Sequence, residues 1–345
     1  MLAAGIIAHH QKLSALLAVG ILLLPATQYP ATTWWSKPDL DREYVLSLDV
    51  EHYFGNIQKM RKHLETDRQI LWVTYYRNLY NATHPSEINS PVSLSRNLLA
   101  WNQPGTNGLI LPVNPSASFL SILFANELWF TLGDMTMAEH CAMLSMIFSP
   151  RNSGSRMIKR LAEINLVNGD DEAALKYLRK LDKTLLHKSW AEKRIPGQQT
   201  LRVKEWLEKK RRDIPTQDQL RSGNDAVTSL RNLVASNAGN LRAYEYLLCY
   251  HLLSKDLRSF VEDYVPGKVS SPIFAEALLI HLARQGNIRA EELIKYQIPV
   301  EIAKEFADYT RLYEAKDTSL KEKYGKTYWF YYHFATTEPG KESKP

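Results

Sequence analysis

Two cysteines in 345 residues exclude a disulfide framework, and with it the small scaffolds whose stability rests on one. Cys141, in AEHCAMLSMIF, and Cys249, in YEYLLCYHLL, both lie in apolar, helix-like sequence. Neither has a second ligand at metal spacing, so buried free thiols are expected and zinc is not. Glycine and proline, 15 and 16 residues, are scarce inside the periodic segments. No alternation of apolar and polar residues persists over six positions from Asp39 onward, so strands are not expected. Charge of one sign is not concentrated either. The net charge is only +6, and Lys and Arg interleave with acids, as in Lys204, Glu205, Glu208, Lys209, Lys210, Arg211, Arg212 and Asp213. Nucleic-acid binders gather their excess into a stripe. This run instead reads as a solvated helix end with cations near its C-terminus, and no nucleic-acid partner is expected.

Catalytic signatures are missing as well. HExxH, GxSxG, the P-loop pattern and GxGxxG do not occur. Glu51-His52 and Glu139-His140 are adjacent pairs, whose members cannot face one direction on a helix. His281, in LLIHLA, reads as a core or interface histidine. The expectation is a protein without catalytic residues, metal ligands or cofactor, and not an enzyme.

A clean membrane-spanning run is also lacking. Leu13–Ala26 (LSALLAVGILLLPA) is apolar over 14 residues, against the ~20 that a transmembrane helix needs. His9, His10, Gln11 and Lys12 precede it, as a basic region precedes the apolar part of a signal peptide, but no good A-x-A site follows. Tyr29, Trp34 and Trp35 come before the next charge at Lys37, in the manner of an interfacial aromatic belt, and with them the segment is long enough to span. A signal anchor, a cleaved signal peptide and the last helix of a larger membrane domain remain open. The apolar stub Met1–Ala8 favours the last. Lys12 on the near side places everything after Trp35 outside the cytoplasm by the positive-inside rule.

What the chain does have is helix after helix. Asp39–Phe54 and Asn56–Leu64 flank Gly55, Gln69–Tyr80 follows, and the proline-rich stretch to Pro115 contains the loop Asn102–Asn114. Two helical hairpins are then clear. Ser116–Leu132 leads through Gly133-Asp134 into Met135–Phe148, and Ser153–Val167 leads through Gly169-Asp170 into Asp171–Leu185. In each turn Gly can end one helix in the left-handed region and Asp can cap the next. The two glycines are 36 residues apart, near the ~34-residue tetratricopeptide period. Gly133, Ala138 and Pro150, then Ala162, Gly169, Ala174 and Leu178, resemble that repeat's pattern of Gly, Ala, a large apolar residue and Pro, whose small residues let paired helices approach closely. More degenerate segments follow at Leu201–Arg212, Gln217–Ala235, Asn240–Leu253, Lys255–Tyr264, Pro272–Arg284 and Ile288–Tyr296. A closing helix, Val300–Ala315, carries Ile302, Phe306, Tyr309 and Tyr313 on one stripe.

The most unusual string is Tyr324-Gly325-Lys326-Thr327-Tyr328-Trp329-Phe330-Tyr331-Tyr332-His333-Phe334. Tyr328, Trp329, Phe330, Tyr331, Tyr332 and Phe334 are expected either to cap the open end of a repeat array, which is favoured, or to form an aromatic interaction surface. Together with the layout of a membrane segment followed by helical repeats, the string resembles an uncharacterised family of bacterial membrane proteins. In that family a multi-helix membrane portion precedes an extracytoplasmic tetratricopeptide-like region with a similar ending. The resemblance implies architecture and location but no catalytic residue, and in a bacterial setting the sequon Asn81-Ala82-Thr83 is coincidental.

The expected protein is therefore all-α. A membrane segment (1–36) precedes a tetratricopeptide-like helical-hairpin solenoid (37–335) and a disordered tail (336–345). Its expected role is a membrane-tethered, periplasmic scaffold that binds a protein or peptide partner. An accessory part of a membrane enzyme or transporter is the alternative. A carbohydrate-binding surface is a weaker one, which needs exposed aromatics around Trp101, Trp129 or Trp329.

Overall fold

The structure, a computed structural model, describes residues 39–65, 70–83, 109–111, 119–148, 154–216 and 225–335. Among them are seventeen α-helices and no strand. No helix among the described residues is long and apolar enough to cross a membrane. The expected membrane segment, the expected tail and Trp101 lie outside the described residues. The chain divides into two units, residues 1–66 and 67–345.

In the first unit α1 (Leu40–Phe54) and α2 (Ile57–Leu64) form a hairpin that buries Val45, Leu48, Met60 and Leu64. Asp39 caps α1, accepting from the backbone N–H of Arg42 at 3.0 Å. Gly55, at φ 69°, ends it in the left-handed region that glycine adopts without strain.

The second unit begins with α3 (Leu71–Thr83), α4 (Phe119–Leu132), α5 (Met135–Phe148), α6 (Ser155–Asn168) and α7 (Asp171–Asp182), with α4 to α7 each packed on the one before it. Apolar residues cover almost the whole circumference of α4, as burial between α3 and α5 requires. Asn81 is buried on α3, so the sequon is shielded. Both Gly-Asp turns form as the spacing predicts. Gly133 and Gly169 take φ 89° and 81°. Asp134 and Asp170 each accept from the backbone N–H three residues on, at 2.9 Å. Ala138, Ala142, Ala162 and Ala174 are fully buried, where any larger side chain would force the helices apart.

The helix expected to run to Leu185 stops at Asp182. Thr184 folds back there, its hydroxyl donating to the Leu181 carbonyl at 2.7 Å. Then come α8 (Lys188–Glu192), α9 (Leu201–Arg211), α10 (Ala226–Ser236), α11 (Leu241–Leu253), α12 (Leu257–Asp263) and α13 (Pro272–Arg284). The last four are α14 (Ala290–Lys295), α15 (Val300–Glu314), α16 (Leu320–Tyr324) and α17 (Tyr328–Phe334). Periodicity alone did not mark α8, α16 and α17, which are seven residues or shorter.

One device recurs through the second unit. A helix leaves its last carbonyls without intrahelical partners, and side chains from later in the chain donate to them. Arg211 donates to Val167 and Leu166 at 3.0 and 2.8 Å, at the end of α6. Arg242 donates to Thr131 at 2.9 Å, and Asn240 to Leu132 at 2.7 Å, at the end of α4. Asn240 also donates to Asp213 at 2.7 Å, which draws the start of α11, the end of α4 and the segment after α9 together. The approach is close: a Cβ on Gly133 would lie 2.2 Å from the Asp213 carbonyl oxygen, whereas one on Gly169 would meet open space.

Candidate functional site: a basic and aromatic face

On α6 the residues Arg156, Lys159, Arg160 and Glu163 recur at helical spacing and form one charged stripe, while Met157, Leu161 and Ile164 are buried. The stripe meets Asn126, Glu127 and Phe130 of α4. Arg156 donates to Glu127 at 3.0 Å, and Arg160 donates to the other oxygen of the same carboxylate. Arg160 also reaches Asn126 and Glu163, each at 3.0 Å. Its guanidinium lies 3.9 Å from the Phe130 ring centroid. Phe130 stacks on Trp206 of α9 at 6.2 Å, and Lys210, one turn further along α9, places Nζ 4.6 Å from the same Phe130 ring. The short helix α8 adds Trp190, with Arg194 at 4.1 Å and Lys159 at 5.2 Å from its ring.

Five cations thus share one face with three aromatic rings and two carboxylates. The burial of these cations shows in their acid–base behaviour. Burial, with Arg242 and Arg160 nearby, pulls the Lys210 ammonium down to about 8 from its usual 10.5. Burial lowers Lys159 and Arg194 as well, against the pull of Glu163. A further anion would relieve that cost. The charge run ending at Asp213 is therefore not simply a solvated face. Lys210 and Arg211 belong to interhelix contacts, and Asp213 pairs with Arg242 at 3.2 Å. The stripe was present in the sequence at positions 156, 159, 160 and 163. Its convergence with Phe130, Trp190 and Trp206 was not.

The aromatic string folds as α17 against α13. Tyr328, Trp329 and Tyr331 are buried, Phe330 and Tyr332 half-buried, and Phe334 exposed. Two of their hydroxyls continue the carbonyl-donor device. The Tyr328 and Tyr331 hydroxyls donate to Leu252 and Leu253, the last residues of α11, at 3.0 and 2.8 Å. The Trp329 indole N–H donates to Glu276 of α13 at 2.9 Å. On α15, Phe306 and Tyr309 pack on Trp329, with Tyr309 donating to the Trp329 carbonyl at 3.1 Å, while Tyr313 lies at the exposed edge of the expected stripe. Trp129 is buried like Trp329, so two of the three tryptophans that a carbohydrate surface would need are inside.

Sequence reasoning missed one histidine. His281, read as a core or interface histidine, is half-buried, and among the described residues the buried one is His251. Its Nε2 lies 2.8 Å from Asp263, which also accepts from Arg231 at 2.8 Å. The pairs stand 12 and 32 residues apart, beyond the reach of any local pattern, and they tie α10, α11 and α12. No group of three His, Cys, Asp or Glu suited to a metal occurs among the described residues. A pocket of about 140 Å³ beside Tyr264, Ser271 and Tyr296 is small against the ~300 Å³ at which ligand pockets begin.

One family model matches residues 4–335 of the chain. The chain belongs to the family of unknown function DUF6057. The matched span takes in the apolar run Leu13–Ala26, the basic and aromatic face and the whole aromatic string. The expectation of an uncharacterised family is met over that span. No curated protein and no solved structure matches.

Proposed function

We propose that this DUF6057 chain is a membrane-tethered, extracytoplasmic scaffold of tetratricopeptide-like hairpins, which holds an acidic segment of a partner protein on its basic and aromatic face. The observation that carries the reading is the convergence of Arg156, Lys159, Arg160, Arg194 and Lys210 on Phe130, Trp190 and Trp206. Lys159 and Arg194 beside the half-buried Trp190 ring suit carboxylates on an extended partner, with arginine offering paired donors and Trp190 and Trp206 offering flat apolar contact. The successive hairpins and the buried small residues between them support the repeat reading. The apolar run and its aromatic flank support the tether.

A photo-crosslinking residue in place of Trp190 tests the reading in native membranes, with one in place of the exposed Ile294 as the control. The proposal expects one protein adduct at Trp190, absent at Ile294 and lost when Lys159→Gln and Arg194→Gln are combined. Identical adducts at both positions, or adducts indifferent to the two substitutions, overturn it.

A further inference from the structure

Leu185 and Leu186 are 97% and 83% exposed, the two most exposed large apolar side chains among the described residues, and they are neighbours. A single exposed leucine is ordinary. Two adjacent ones at the tip of a fixed turn are not. The turn is pinned from inside by Thr184. Its N–H donates to the Leu181 carbonyl at 2.9 Å, its hydroxyl accepts from the His187 N–H at 3.2 Å, and its carbonyl accepts from the Lys188 N–H at 3.2 Å. The leucines therefore cannot fold back without breaking these bonds.

Exposed cations flank them along the chain: Arg179, Lys180, Lys183, Lys188 and Lys193, against Asp182 and Glu192. Arg179 and Lys180 also complement the C-terminal dipole of α7. Lys183 is the C-cap of that helix, Lys188 lies 4.0 Å from Glu192, and Lys193 ends α8. Apolar tips flanked by cations match an anionic bilayer surface, where leucines enter the boundary between headgroups and acyl chains and lysines stay among the phosphates. A protein pocket with an acidic rim is the alternative occupant, which quenching by labelled lipids separates from a bilayer.

We infer that the turn 183–187 is a second membrane contact, which seats Leu185 and Leu186 in an anionic leaflet. The inference rests on the proposed tether, which brings a bilayer within reach, and it would hold the repeat region at a set angle to the membrane.

The test uses the full chain reconstituted in vesicles of phosphatidylglycerol and phosphatidylcholine. A Leu185→Cys variant carries an environment-sensitive fluorophore, and a Leu201→Cys variant, at another exposed leucine, is the control. Cys141 and Cys249 are buried, and burial pushes both thiols up, Cys141 to about 12, so labelling falls on the introduced thiol. The expected result is a blue-shifted emission at position 185, quenched by lipids with a nitroxide near the headgroup, with neither effect at 201. Both effects should weaken in phosphatidylcholine alone. Flotation is read on the same samples. A chain that floats while its 185 probe stays water-like overturns the turn contact and leaves the tether standing. A blue shift without lipid quenching means a protein covers the leucines, and it also overturns the inference. A chain that does not float overturns both readings.

Discussion

The hairpins α4–α7 and the closing region α11–α17 hold their helices together by different means. In the first, a glycine ends one helix, an aspartate starts the next and alanines let the pair close, while Arg211, Asn240 and Arg242 from later in the chain seal the helix ends. In the second, the turns are less regular, and donors from far along the chain, Tyr328, Tyr331, Trp329 and Tyr309, bond the carbonyls of other helices. A turn written locally tolerates change in its neighbours. A lock made by one bulky residue across three helices should not.

The largest expected effect follows from that contrast. Trp329→Ala removes a fully buried indole packed on Phe306 and Tyr309, together with its bond to Glu276, and should cost ~3–5 kcal/mol in chemical denaturation. A loss no greater than that of an exposed leucine would remove the idea of a lock.

Within the hairpin region, the two turn glycines should separate. Gly169→Ala forces a left-handed alanine into open space and should cost ~1–2 kcal/mol. Gly133→Ala suffers the same strain and also meets the Asp213 carbonyl, so overpacking adds a further ~1–3 kcal/mol. Equal melting shifts for the two variants would mean that the α4–α5 turn does not approach Asp213. Smaller still is Tyr331→Phe, which leaves the ring and removes only the bond to Leu253, at ~1 kcal/mol.

A pH effect distinguishes the regions without large damage. The folded-state value of Lys210 is depressed, so between about 8 and 10.5 the unfolded chain binds a proton that the folded chain has released. This group's contribution to stability therefore rises with pH across that window. Binding of an acidic segment should weaken as pH climbs through the same lower value, because the ammonium is lost. Lys210→Arg should flatten both dependences, and a dependence that survives it belongs to another group.

Much of the fold was legible in the sequence. Gly133-Asp134 and Gly169-Asp170 announced their turns because capping needs only residues three or four apart. The bounds of α1, α2, α5 and α13 fall within a residue of the periodic segments for the same reason. The end of α7 was not, because the competing partner for its backbone was the Thr184 hydroxyl. Of the candidate face, only the α6 stripe could be read, since Phe130, Trp190 and Trp206 join it through tertiary packing. The aromatic string was conspicuous. That its hydroxyls and indole would reach Leu252, Leu253 and Glu276, more than 50 positions back, was beyond any local pattern.

The most direct measurement of the central claim is a fluorescence anisotropy titration of the detergent-solubilised chain with a labelled Glu- and Asp-rich peptide, over a range of salt. Saturable binding is expected, weakening with salt and falling by about tenfold, or ~1.4 kcal/mol, when Lys159→Gln and Arg194→Gln are combined, measured at a temperature where both chains are folded. Binding of equal strength in the double variant, or none in the parent chain, would contradict that claim.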